Sequence, residues 1–274
     1  MRLTRLPLPQ PLRRVVHQMW IFESASGLPP GDLRTVVPNG RTRLILPLRG
    51  DLTAAGQGRT WTLGAGRAGL VGQWDMPAVL SAPAEPLVTL GVEFTATGLA
   101  LLCPEPQMRL ARGIHALDDL MPDPGAVPLA RIASAETPRE AAMLLQQGLL
   151  KRLLARDPGG ETLAEATIRL MRGAGLGSDL GWLEQRTGYS RRYLSARFQR
   201  DVGLSPARLQ TILAFEALYR DFARHGVARA MVDAALDRFH DQPHFTRVFR
   251  AMTGLPPARF AARGNAFGQL FYRD

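Results

Sequence analysis

Two short segments of the chain carry side chains that can recognise DNA bases. From Ser190 to Arg200 the chain contains no Asp or Glu, so a helix formed there can approach phosphates without charge repulsion. Arginine can donate two hydrogen bonds to guanine, and glutamine can form two with adenine. The candidate DNA-facing side chains are Ser190, Arg191, Arg192, Ser195, Ala196 and Gln199 in the first segment and Gln242, His244, Thr246 and Arg247 in the second.

A helix-turn-helix arrangement is the element that would position the first set. The sequence predicts a helix from Asp179 to Arg186, a turn at residues 187–189, and a second helix that begins after Ser190 and ends near Asp201. Ser190 is a typical N-cap, because its hydroxyl can accept a hydrogen bond from a backbone N–H of the first helical turn. Leu194 and Phe198 lie four residues apart, so both would pack against the first helix and leave the basic face outward.

The second segment repeats the first at an offset of 51 residues. Six residues are identical at this offset: Phe198, Gly203, Leu204, Pro206, Ala207 and Arg208 fall on Phe249, Gly254, Leu255, Pro257, Ala258 and Arg259. We therefore expect a second unit with a first helix from Met231 to Arg238, Asp241 as N-cap, and Phe245 and Phe249 facing inward. A repeat of helix packing alone, without DNA contact, would give the same pattern.

A long helix from Ser205 to Ala223 is predicted to join the two units, because Ser205-Pro206 is a typical helix start. Its apolar stripe is expected to be core. The stripe consists of Ile212, Phe215, Leu218, Tyr219 and Phe222.

The N-terminal half has a different pattern, with short apolar runs between turns. Arg43 to Leu48 reads as a strand that ends or bulges at Pro47. Leu87 to Phe94 alternates, which places Val88, Leu90, Val92 and Phe94 on one face and Thr89, Gly91 and Glu93 on the other. Gly98 to Leu102 is predicted to be a short helix and Leu117 to Pro124 a loop. Many short strands with frequent turns indicate a small β-barrel or sandwich.

A helix from Pro138 to Arg156, with Thr137 as N-cap, is predicted to follow the strands. Its apolar stripe would pack on the barrel or on a second subunit. The stripe consists of Met143, Leu144, Leu150, Leu153 and Leu154. The breaker sequence at residues 157–160 then predicts two domains, 1–158 and 159–274.

Both halves resemble known regulators. The run from Gly188 to Pro206 resembles the first helix-turn-helix of the AraC/XylS family of bacterial transcription regulators. The residues that match the motif of the family include Tyr193, Leu194, Phe198 and Gly203. The run from Phe239 to Pro257 resembles the second motif of the family. Two departures fall on that second unit, where Arg238 replaces the usual Gly and Pro243 the usual Ser.

The N-terminal half resembles the cupin-like sensor region found ahead of such domains. The matching segments are residues 37–40, 44–46, 69–73, 90–94 and 117–120.

The resemblance implies an α+β protein in which a β-rich sensor precedes two helix-turn-helix units joined by a long helix. It implies double-stranded DNA and an unidentified small effector as partners, a cytoplasmic location, and no enzymatic activity, cofactor or metal. RNA polymerase and a second copy of the chain are further partners that it allows. Two alternatives stay open: an enzyme with its active site in the β-domain and tethered to DNA, and an adaptor that binds only protein.

The remaining composition supports few other chemistries. The formal net charge is +10, which allows a nucleic-acid partner. The many arginines can also reflect the base composition of the coding DNA. One cysteine, Cys103, allows neither an internal disulfide nor a thiolate metal site and is expected to be a buried apolar residue. Gly64 to Gly69 fits a dinucleotide pattern, but no helix is predicted after it, so we interpret it as a turn.

The histidines and the N-terminal segment complete these exclusions. Only His17 and His115 fall in the β-domain, which is too few for a typical cupin metal site. No apolar run reaches the length of a membrane span, and Pro7 breaks the basic N-terminal segment, so no signal peptide is predicted.

Overall fold

A computed structural model describes residues 1–121, 127–156, 159–173, 181–225 and 242–272. The N-terminal region is β-rich. Its strands are β1 (Arg2–Leu6), β2 (Val16–Ser24), β3 (Thr35–Val36), β4 (Arg43–Arg49), β5 (Leu52–Gly56), β6 (Arg59–Leu63), β7 (Gly69–Val71), β8 (Ala78–Ser81), β9 (Leu87–Phe94) and β10 (Ile114–Ala116).

The strands form two antiparallel sheets, in the orders β1-β2-β9-β4-β7-β10 and β3-β8-β5-β6. The predicted strand at Arg43 is confirmed, and its pairing with β9 shifts register between Pro47 and Arg49, as expected where proline removes a donor from the ladder. One apolar cluster contains residues of both sheets, among them Trp20 and Ile45 of the six-stranded sheet and Ala78 of the four-stranded sheet. The two sheets therefore enclose a common interior.

Strand β9 has the predicted division into two faces, and both faces are buried. Its apolar face packs on helices, with Leu90, Val92 and Phe94 all in the same buried cluster. Thr89 and Glu93, on the opposite face, are also buried, at 2% and 4% exposure. The strand lies between β2 and β4, so its polar side chains face the interior between the sheets instead of solvent.

The helices of the N-terminal region are α1 (Gly98–Leu102), α2 (Gln107–Leu110), α3 (Leu117–Leu120), α4 (Leu129–Ala133) and α5 (Pro138–Arg156). Helix α1 is as predicted, whereas α3 replaces the first part of the predicted loop. The Thr137 cap is confirmed, because its hydroxyl accepts a hydrogen bond from the Glu140 N–H at 3.1 Å.

The predicted apolar stripe of α5 is partly wrong. Leu153 is buried, but Met143 and Leu154 are 57% and 70% exposed. The face that packs on the large sheet uses Ala141, Ala142, Leu145, Leu149 and Leu153. Met143 and Leu154 lie on the side of the helix that points away from this packed face.

The C-terminal region is helical. Its elements are α6 (Leu163–Gly173), α7 (Trp182–Thr187), α8 (Arg191–Val202), α9 (Pro206–His225), α10 (Gln242–Thr253), α11 (Pro257–Arg263) and α12 (Ala266–Gln269). The stripe predicted for α9 is buried at all five positions, so its assignment to the core is confirmed. The helix predicted from Met231 to Arg238, the Asp241 cap, and the departure at Arg238 lie outside the described residues.

The fold is α+β, as predicted. Within the described ranges, no helix is long and apolar enough to cross a membrane. The division at residue 158 stays a prediction.

Candidate DNA-binding surface and sensor pocket

Helices α7 and α8 form the first predicted helix-turn-helix. Gly188 ends α7 with φ +73°, a left-handed conformation that glycine adopts without strain. The Ser190 hydroxyl then accepts a hydrogen bond from the Tyr193 N–H at 3.3 Å, which confirms the cap. Leu194 and Phe198 are buried as predicted.

The outward face of α8 carries the candidate DNA-facing residues. Ser190, Arg191, Arg192, Ala196 and Gln199 are exposed, and Ser195 is half-buried. No ion pair ties Arg191 or Arg192 to a carboxylate within the described part of the chain. Farther along the helix, Arg197 pairs with Asp201 at 3.2 Å. The start of α8 therefore presents two uncompensated guanidinium groups to solvent.

Three residues at this surface, Glu184, Tyr189 and Tyr193, were given no surface role from the sequence. The Glu184 carboxylate accepts a hydrogen bond from the Arg191 N–H at 2.6 Å, so this amide at the start of α8 already has a partner. Tyr189 and Tyr193 are exposed and stack with ring centroids 4.9 Å apart. The available signal was their spacing of four residues across the turn.

Helix α10 carries the second set. Gln242 and Arg247 are exposed, and His244 and Thr246 are half-buried. Phe245 and Phe249 are buried as predicted and lie 5.7 Å apart. Pro243 lies within the first turn of α10, where the missing N–H of proline has no helical partner to lose.

A second candidate site is an apolar cavity of about 100 Å³ between the two sheets. Most of its lining comes from strands and includes Trp20, Phe22, Ile45, Val71 and Trp74. Other lining residues come from the C-terminal end of the chain: Phe267, Gly268, Phe271 and Tyr272. The sequence analysis assigned no role to these last residues.

Glu93 is the carboxylate in the cavity wall. Its oxygens accept hydrogen bonds from Arg43 Nε at 2.8 Å, Gln18 Nε2 at 2.7 Å and Asn39 Nδ2 at 3.1 Å. Burial alone would raise the pKa of Glu93, but the charges of Arg43 and Arg41 outweigh it and lower the pKa to about 2. Glu93 is therefore ionised and fully paired.

Comparison with known protein families identifies a domain within the helical region. Residues 183–263 match the family model described as a helix-turn-helix domain. Residues 183–263 therefore form a helix-turn-helix domain of the AraC type. A search of curated proteins found no match.

Solved structures similar to the whole chain include ToxT of Vibrio cholerae, at 9% identity over 92% of this chain and 98% of that one, with a TM-score of 0.48. A structure of ToxT with bound unsaturated fatty acid matches at 11% identity over 88% and 94%, with a TM-score of 0.47. A cupin superfamily protein of Desulfitobacterium hafniense matches at 18% identity over 34% and 78%, with a TM-score of 0.26.

The AraC-type domain docks on the β-domain through a buried carboxylate. Asp75 accepts two hydrogen bonds from Arg112, at 2.9 and 2.8 Å, and one from Arg208 Nε at 3.2 Å. Burial would raise the pKa of Asp75, but these two arginines lower it below its usual range. Because Arg208 lies in the first turn of α9, Asp75 connects the two domains directly.

Further contacts continue this interface. Arg41 pairs with Glu216 of α9 at 3.2 Å. The backbone at Gly40 lies against Leu209, which a Cβ at position 40 would approach to 2.8 Å. Helix α2 of the β-domain packs against α8. Helix α8, which carries the first set of candidate DNA-facing residues, is therefore in contact with the β-domain.

The structure also describes the residues considered for nucleotide binding, thiol chemistry and metal binding. The segment from Gly64 to Gly69 is a turn followed by strand β7, as interpreted from the sequence. Cys103 is buried, as expected. Burial lowers the pKa of His17, and the charge of Arg41 lowers it further. In the described ranges, no group of three or more His, Cys, Asp or Glu side chains could hold a metal ion.

Proposed function

We propose that this protein is a transcription regulator in which the AraC-type domain binds duplex DNA and the β-domain binds a small organic effector. The observation that carries the proposal is the outward face of α8. It combines a confirmed cap, buried anchors at Leu194 and Phe198, and two arginines that make no ion pair with any described residue. The outward face of such a helix can enter the major groove without first breaking an ion pair of this kind.

We assign different tasks to neighbouring side chains of α8. Arg192, Ser195 and Ala196 would face base edges, with Gln199 nearby, while Arg191 would meet phosphate and Ser190 would hold the start of the helix. In α10, Gln242, His244, Thr246 and Arg247 would face the adjacent major groove. Two such helices on one face of the duplex would contact sites about 34 Å apart.

A salt titration of DNA binding tests this function. The full chain is titrated by fluorescence anisotropy against duplexes from the region upstream of its own gene. Affinity should fall with salt, with a slope of about −0.9 for each phosphate neutralised. Arg191→Ala should reduce that slope by about one, whereas Arg139→Ala, an exposed arginine on α5, should leave it unchanged. Failure of the full chain to bind any duplex at low salt would reject the function.

The cavity between the sheets is the proposed effector site. Its lining is mostly apolar with a few polar groups, which is typical of small-molecule pockets. Among the described residues that line it, Glu93 is the sole carboxylate, and Arg43 already holds it. This arrangement favours binding over acid–base catalysis, since an enzyme of the alternative type would need a free acid or base at the cavity.

We also propose that the chain forms a homodimer through α5. Met143 and Leu154 are exposed and Leu150 is partly buried, and their spacing places them along one side of the helix. Leu154→Glu should lower the dimer fraction in sedimentation velocity, whereas Met108→Glu, an exposed methionine on α2, should not. Contact with RNA polymerase stays a prediction, and binding to the bacterial chromosome would place the protein in the cytoplasm.

A further inference from the structure

The C-terminal segment, residues 265–272, forms one wall of the cavity in the β-domain. Phe267 lies edge-on to Phe22 with ring centroids 5.5 Å apart, and Phe271 lies edge-on to Trp20 at 5.0 Å. Phe22 and Trp20 are both on β2, two positions apart, and so face the same side of the sheet. The segment follows directly after the AraC-type domain, so its aromatic rings connect that domain to the sensor interior.

Specific polar contacts hold the segment in place. The Asn265 side chain accepts a hydrogen bond from the Thr35 N–H at 2.9 Å and donates one to the Thr35 carbonyl at 2.7 Å and one to the Tyr219 hydroxyl at 2.9 Å. Asp32 accepts a hydrogen bond from the Phe267 N–H at 2.9 Å. Asn265 is 1% exposed. It therefore joins β3, the long helix α9 and the segment at one buried point.

With the segment seated, the cavity is small. Its volume is about 100 Å³, whereas pockets for small molecules usually measure about 300–1,000 Å³. The rings of Phe267 and Phe271 form part of the wall around this space. A ligand of ordinary size needs more room, and moving these rings aside would provide it.

The chemistry of the remaining walls indicates what such a ligand would be. The Trp20 indole N–H and the Thr89 hydroxyl are buried, line the cavity and have no hydrogen-bond partner among the described residues. An indole N–H can only donate, so a ligand that satisfies it carries a hydrogen-bond acceptor, such as an oxygen. The charges at the wall are already matched, because Arg43 holds Glu93 at 2.8 Å. An additional buried charge would have no partner.

We propose that the ligand of this cavity is an uncharged, largely apolar molecule with a hydrogen-bond acceptor, and that it binds by displacing the C-terminal segment. This inference rests on the proposed function, since it names the ligand class and the regulation of the same site. Displacement breaks the Asn265 contact with Tyr219 of α9. Ligand occupancy and the position of the AraC-type domain are then linked, and each must shift the other by the same free energy.

The variant Gly268→Ala tests the displacement. A Cβ at position 268 would lie 2.6 Å from the Thr35 carbonyl oxygen and 2.2 Å from Asn265 Nδ2, so the segment cannot seat as it does in the native chain. Ala266→Ser is the matched control, because Ala266 is exposed in the same short helix. A chain that ends after Ala266 removes the rings without a steric change and covers the case in which Gly268→Ala folds poorly.

The probe is N-phenyl-1-naphthylamine, an uncharged, largely apolar fluorophore larger than the seated cavity. It carries no oxygen, so it tests the displacement and the uncharged, apolar character of the ligand. Energy transfer from tryptophan locates the bound probe, since Trp20, Trp61 and Trp74 all line the cavity. Gly268→Ala and the shortened chain should bind it about tenfold more tightly than the native chain, because they no longer spend binding free energy on displacing the segment. Ala266→Ser should match the native chain.

Two results would overturn the inference in different ways. Equal affinity in the native chain, Gly268→Ala and the shortened chain would reject displacement while leaving the cavity as a binding site. No energy transfer in any of them would reject the cavity itself, and with it the effector part of the proposed function. DNA binding, measured separately, would remain untouched by either result.

The ligand class and the motion have separate readouts. The anionic probe 1-anilinonaphthalene-8-sulfonate has the same rings plus a sulfonate, and it should bind Gly268→Ala about tenfold more weakly than the uncharged probe. Comparable affinity would reject the uncharged class. Hydrogen exchange of residues 265–272 should speed up when the uncharged probe binds the native chain. Slower exchange would show that the segment closes over the ligand and would reject displacement.

Discussion

Arginines serve two different ends in the two halves of this molecule. In the β-domain and at its interface, Arg43, Arg112 and Arg208 each hold a buried carboxylate. At the start of α8, Arg191 and Arg192 are exposed and make no ion pair in the described part of the chain. A net charge of +10 does not distinguish these roles. The presence or absence of an ion pair distinguishes them, because an unpaired guanidinium is available to exchange water and counterions for phosphate or guanine.

The largest effect on stability is expected where the pairing is most buried. Glu93→Gln leaves the half-buried Arg43 without its anion, and breaking such a pair costs about 3–5 kcal/mol. Urea denaturation should show this loss. Normal stability of Glu93→Gln would show that Arg43 finds another partner and would weaken the distinction between paired and free arginines.

The same residue predicts how stability depends on pH. Because folding lowers the pKa of Glu93 from 4.5 to about 2, the stabilisation is fully present above about pH 5 and is lost as the pH falls toward 2. Unfolding midpoints of the native chain should therefore drop across this range. Glu93→Gln should have the flatter profile, and parallel profiles would assign the acid sensitivity to other carboxylates.

The sequence predicted the helical half better than the interior of the β-domain. The Ser190 cap, the Gly188 turn and the burial of Leu194 and Phe198 depend on neighbours within one or two helical turns. By contrast, Glu93 and Arg43 are 50 residues apart in the chain, and their pairing depends on which strands become neighbours. Alternation along β9 was visible, but the sequence could not show that both faces are covered.

The C-terminal segment illustrates the same limit over a longer distance. Asn265 bonds to Thr35, 230 residues earlier, and no local pattern marks that pair. The stripe of α5 was misassigned for a related reason. Sequence spacing identifies which residues share a helix face, but the packing of Ala141, Ala142 and their buried neighbours decides which face is covered.

An intermediate effect is expected for the free arginines. Arg192→Ala should weaken binding to the preferred duplex by about 1–3 kcal/mol and relax selectivity at one base position. Because Arg192 is exposed, stability should change by no more than about 0.5 kcal/mol. Anisotropy with specific and random duplexes, alongside urea denaturation, separates the two quantities. An equal loss on both duplexes would reassign Arg192 to phosphate contact.

The smallest effect is expected at Glu184, an acid that lies beside the exposed, unpaired arginines of α8. Its carboxylate accepts a hydrogen bond from the Arg191 N–H at 2.6 Å and so lies at the positive end of α8, where a negative charge stabilises the helix by about 0.3–1 kcal/mol.

In a complex with DNA, the charge of Glu184 would face phosphates. Glu184→Gln keeps the hydrogen bond and removes the charge, so DNA affinity at low salt should rise while stability falls slightly. The gain should disappear at high salt, because screening removes the repulsion that the native carboxylate exerts. Anisotropy at two salt concentrations measures this, with the exposed Gln185→Ala as control. A loss of affinity in Glu184→Gln would instead mean that the carboxylate positions Arg191 for its contact, and it would place Glu184 among the residues that build the DNA-binding surface.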